Sequence, residues 1–83
     1  MGNIILKKIY ELRLVIIKGM YHSGCSDEED RKFVSEYIPA IYFNDLTAKY
    51  WAFDFRLPGG RWIENITLQQ NNGIIKLIAL CAV

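Results

Sequence analysis

The apolar and polar positions change their period near residue 46. Residues 48–57 alternate strictly, with Trp51, Phe53, Phe55 and Leu57 on one side, the pattern of a half-buried strand. Pro58-Gly59-Gly60-Arg61 supplies turn chemistry, residues 62–70 read as a second strand, and Asn71-Asn72-Gly73 leads into a third over 74–83. Asn-Gly fits the two positive-φ positions of a type I′ hairpin. With Gly59-Gly60 central in the first turn, Leu57 faces Trp62, Phe53 faces Ile66 and Trp51 faces Leu68. With Asn72-Gly73 central in the second, Leu68 faces Leu77, Ile66 faces Ala79 and Trp62 faces Val83. Both turns gather the same apolar set on one face, and a slip of one residue in either would scatter it. The other face is mixed, carrying Tyr50, Asp54, Arg56, Ile63, Asn65 and Lys76 among others.

Ahead of the sheet, Ser26 and Glu29 match a capping box, and Asp27, Glu28 and Asp30 suit the positive end of a helix dipole. Phe33, Val34, Tyr37 and Ile38 form an apolar stripe, and Pro39 ends the helix. Residues 12–17 (LRLVII) are rich in β-branched side chains, which favours a strand. Ile5, Ile9, Leu12 and Ile16 also sit at helical spacing with Gly19 as a C-cap. The expected fold class is therefore α+β, a small β-α-β-β-β domain with an antiparallel sheet. Its C-terminal three-stranded meander packs on one helix, and α-α-β-β-β is the alternative.

Composition adds one thing to this picture. Eighty-three residues make a single domain, 1–83, yet 52% of them are hydrophobic and 13% aromatic. So short a chain exposes much of its surface, so apolar area is expected to meet another subunit or partner. The net charge of +1 argues against general polyanion binding. Its sign is uneven: Lys7, Lys8, Arg13 and Lys18 precede an acidic stretch from Asp27 to Asp30. Two solvated faces account for this without a function. Cys25 and Cys81 form no CxxC and no disulfide framework. Charges interrupt the N-terminal apolar run, and 74–83 is too short to span a bilayer. A cytoplasmic location without a membrane partner is expected.

Candidate chemistry is sparse. His22 and Cys25 share a polar loop, but a metal site needs further ligands and thiolate catalysis an oriented base. Neither is present, so no enzyme activity, metal or cofactor is expected. In the expected register Glu64 falls on the apolar face opposite Phe55, where a carboxylate among aromatics would mark a site. A ligand or nucleotide pocket formed by Glu64, His22 and Cys25 between helix and sheet is the alternative function. Aromatics interleaved with Lys49, Arg56 and Arg61 raise nucleic-acid binding as a third reading. Yet the tryptophans and strand phenylalanines belong to the core face, and no RNP pattern exists. The leading expectation is a small non-enzymatic binding or inhibitory protein, of the kind phages and bacteria direct against larger proteins. It would act as a homodimer, through a strand edge or the mixed face. Its expected partner contacts are Tyr42, Phe43, Tyr50, Arg56 and Arg61, aromatic or arginine positions near the sheet edge and first turn.

Overall fold

Residues Gly2–Ser23 form one helix, α1, in the computed structural model, which describes residues 2–24, 26–38, 43 and 45–82, the side chains of 2, 3, 81 and 82 apart. The strand favoured for residues 12–17 is thus replaced by its helical alternative. The reason is one of magnitude. β-Branched residues cost at most about 0.7 kcal/mol each in a helix relative to alanine. Burying a large aliphatic side chain contributes about 1.5–3 kcal/mol. As a helix the segment buries Ile9, Leu12, Ile16 and Met20 in a single stripe, so burial outweighs propensity.

Gly24, at φ 69°, closes α1 in the left-handed region, and the hydroxyls of Ser23 and Ser26 both donate to the Met20 carbonyl. Helix α2 (Glu28–Tyr37) starts one residue later than the Ser26–Glu29 pair suggests. Asp27 is the N-cap; its carboxylate accepts from Asp30 N at 2.8 Å, while Asp30 Oδ2 accepts from Asp27 N. Ser26 is not the cap because its hydroxyl already serves the end of α1. At the other end of α2, Ile38 is extended (ψ 123°), as a residue before proline must be. Arg13 Nη2 donates to the Ile38 carbonyl at 2.8 Å, so a cation from α1 sits at the negative end of α2.

The strands β1 (Tyr50–Arg56), β2 (Trp62–Asn71) and β3 (Ile74–Ala82) form an antiparallel sheet in the order β1-β2-β3. The expected pairs Trp51–Leu68, Phe53–Ile66 and Leu68–Leu77 are all present, and Asn72 and Gly73 adopt φ 53° and 79°. Near the first turn the register differs. Leu57 N donates to the Arg61 carbonyl at 2.7 Å across a three-residue loop, which places Phe55 opposite Ile63 and Arg56 opposite Trp62. A β-bulge absorbs the shift. Glu64 and Asn65 together face Asp54, Asn65 takes φ 57°, and the Asp54 carboxylate accepts the Asn65 N–H at 2.9 Å. A bulge leaves a backbone group without a ladder partner, and here a side chain satisfies it.

Because of the bulge, Ile63 and Ile66 both enter the core while Trp62, Glu64 and Asn65 are exposed. Trp62 and Ile63 therefore exchange the faces expected for them. A second irregularity between Leu77 and Ala79 leaves Ala79 exposed and brings Leu80 against the core. Both helices lie on one side of the sheet: α1 against β3, and α2 with Phe33 on Phe55 at 5.8 Å between ring centroids. Leu12, Ile16, Val34, Ile63, Ile66 and Leu68 are wholly buried between them. The α+β class and the meander packed on helix stand, with the order α-α-β-β-β. Among the described residues no helix is long and apolar enough to cross a membrane.

Candidate functional site

Of the residues expected to meet a partner, the four described do not all lie on the surface. Tyr50 is 60% exposed at the β1 edge, and its hydroxyl accepts from Gln69 Nε2 at 3.3 Å. Arg56 is exposed, with its guanidinium lying back toward Gly60. Arg61 pairs with Asp30, whose carboxyl is buried at the start of α2. The Asp30 carboxylate, by hydrogen bond and charge, raises the Arg61 guanidinium above its usual range. This ion pair ties the first hairpin turn to α2, so Arg61 is engaged within the fold. Phe43 needs correction: it is 2% exposed and packs edge-on against Trp51 and Phe53, at 6.4 and 5.6 Å. An aromatic in the loop before β1 is the natural lid for the open end of the core. Tyr42 lies outside the described residues.

The alternative pocket is not assembled either. The bulge turns Glu64 to the exposed outer face of the sheet, away from the aromatics among which the regular register placed it. His22 is exposed near the C-terminus of α1, edge-on to Tyr21 at 5.8 Å, on the side of the sheet that the helices occupy. Glu64 and His22 thus face opposite sides of the sheet. Cys25 lies outside the described residues. Among the described residues no three His, Cys, Asp or Glu side chains gather as a metal site would need.

Two surfaces of α1 emerge that the sequence reading did not single out. Six of the eleven large apolar side chains exposed among the described residues belong to this helix. Leu6, Tyr10, Leu14 and Tyr21 recur at steps of four, four and seven residues along a side turned away from Leu12 and Ile16. They are 66%, 62%, 44% and 65% exposed. Lys7 and Lys18, both exposed, border this stripe. Ile4 and Ile5 extend the apolar surface at the helix start, 74% and 50% exposed. Tyr21 is held by Arg31, whose guanidinium carbon lies 5.2 Å from the ring centroid. The signal was present as a second set of apolar residues at helical spacing, but reading 12–17 as a strand hid it.

The other surface is a groove of about 410 Å³ between α1 and β3, lined by Val15, Lys18, Gly19, His22, Ile75, Lys76 and Leu77. Gly19 permits this close packing, since a Cβ there would run into the Leu77 side chain. The sides of the groove are apolar, and its charged members are both cations.

No protein-family model, curated protein or solved structure matches this chain. The functional reading therefore rests on these surfaces.

Proposed function

We propose that this protein is a non-enzymatic binding module that engages another protein along the outer stripe of α1. The observation that carries the reading is the exposure of Leu6, Tyr10 and Leu14 on a helix that buries Leu12, Ile16 and Met20 on another side. Helices that present apolar residues at this spacing are read by hydrophobic grooves in partner proteins. α1 carries Lys7, Lys8, Arg13 and Lys18 against Glu11, so an acidic rim around the partner's groove complements it.

A second α1 is a poor occupant of the stripe. Antiparallel pairing brings Lys7 toward Lys18 of the other copy, and parallel pairing aligns each lysine with itself. Self-association, if it accompanies this function, fits the outer sheet face better, where the helices leave Tyr50, Trp62 and Ile74 exposed.

The test is affinity capture from the native host lysate with the wild type and with a Leu6→Asp/Tyr10→Asp variant. Both positions are mostly exposed, so the variant is expected to melt with the wild type. A protein retained by the wild type and lost by the variant supports the reading. Identical capture profiles from two equally folded proteins would refute it.

A further inference from the structure

The groove between α1 and β3 lies on a different side of the helix from the stripe, and its parts point to one kind of ligand. Among the described residues β3 is an edge strand, paired with β2 alone. In a two-residue hairpin the residues flanking the turn exchange backbone bonds, and such pairs alternate along the ladder. Asn71 pairs with Ile74 beside the turn, and Gln69 with Lys76. Ile74 and Lys76 therefore bond to β2, while the N–H and C=O of Ile75 and Leu77 are directed outward, along the free edge. The same two residues line the groove, together with Val15 and Gly19 of α1.

An edge strand with unpaired groups is a template for another strand unless it is covered, kinked or charged. On β3 the irregularity comes only beyond Leu77. Ile74–Leu77 is thus a regular stretch with one charged side chain, Lys76. Helix α1 forms one wall of a trough beside this edge. Lys18 stands on the helix wall of the trough and Lys76, alternating with Ile75 and Leu77, projects on the outer side of the same edge; the His22 imidazole is at the trough's end, and no acidic group is in the lining.

We propose that this groove binds an extended acidic peptide segment, which adds to β3 as a fourth strand. Main-chain bonds to Ile75 and Leu77 hold the segment. Alternate apolar side chains enter the trough against Val15 and Gly19, and the carboxylates between them fall on the outer side of the edge, beside Lys76. Strand addition of this kind takes affinity from the backbone and selectivity from the side-chain pockets.

The experiment uses the full chain and two capped probe peptides, one alternating valine with glutamate and the other valine with lysine. Amide NMR is expected to show the glutamate peptide shifting Ile75 and Leu77 and slowing exchange of their N–H groups. The lysine peptide should leave both unchanged. Lys76→Glu is expected to weaken the glutamate peptide by roughly three- to tenfold, the range for exposed charge pairs reversed in sign. The Lys76 side chain is on the surface, so the amide spectrum reports whether the variant remains folded. Methylating alternate peptide nitrogens should abolish the complex. Equal binding of the two peptides, shifts confined to the outer stripe of α1, or protection of Ile75 and Leu77 by self-association without peptide would each overturn the proposal.

Discussion

Leu12, Leu14 and Ile16 are a direct probe of the fold, because a strand would make them equivalent and a helix makes them unequal. In α1, Leu12 and Ile16 are 0% exposed and Leu14 is 44% exposed. Truncating either buried side chain to alanine removes its transfer energy and leaves a cavity, about 2–5 kcal/mol in all. The whole domain has roughly 4–12 kcal/mol of stability at 0.05–0.15 kcal/mol per residue, so either variant loses a large fraction of it. At about 4–8 °C per kcal/mol for a domain of this size, a loss near 3 kcal/mol lowers Tm by ~12–24 °C. Leu14→Ala gives up only part of its burial and gains a few tenths of a kcal/mol of helix propensity, for a net cost under about 1 kcal/mol. Thermal and urea melts followed by circular dichroism measure all three, and unchanged urea m-values would show that the same transition is compared. A Leu14→Ala midpoint as low as those of Leu12→Ala and Ile16→Ala would refute the helix and restore the strand.

Two further outcomes test features the fold adds. Asn65 sits at φ 57° in the bulge, a conformation that costs most residues about 1–2 kcal/mol and glycine almost nothing; Asn65→Gly should therefore melt close to the wild type and Asn65→Val well below it, and equal urea midpoints would remove the bulge from the account. Asp45 is held below its ordinary carboxylate pKa, first by the Thr47 hydroxyl and then by the Thr47 N–H. A carboxyl depressed in the folded state stabilises the fold above its unfolded pKa, and that contribution is lost as pH falls through the lower, folded value. Thr47→Val should move the Asp45 titration, followed by NMR, up toward the ordinary range; an unchanged curve would show that the hydroxyl does not set it.

The first turn shows where pattern reading stops. Alternation located both hairpins and the pairs Trp51–Leu68 and Leu68–Leu77. It missed the three-residue loop because Pro58-Gly59-Gly60 suits two- and three-residue turns alike, and the choice between them shifts every pair between the turn and the bulge by one residue. Glu64 changed sides on that single residue, and with it the carboxylate pocket disappeared. Phe43 was misplaced for another reason. A loop aromatic has no period, so only the packing of Trp51 and Phe53 around it shows that it closes the core.

The sequence by itself determined the features that depend on near neighbours: the α+β class, the Asn-Gly hairpin, the acidic start of α2 and the strand faces away from the bulge and from the irregularity between Leu77 and Ala79. These are local, since turn residues and alternation act within a few positions of the chain. Only the tertiary structure decided that residues 2–23 are helical, because small propensities favouring a strand were overridden by burial of Leu12, Ile16 and Met20 against distant partners. It also decided which side chains remain outside. The stripe of Leu6, Tyr10 and Leu14, and the trough beside β3, exist because one helix has the core on one side, the sheet edge on another and, among the described residues, no protein on the third.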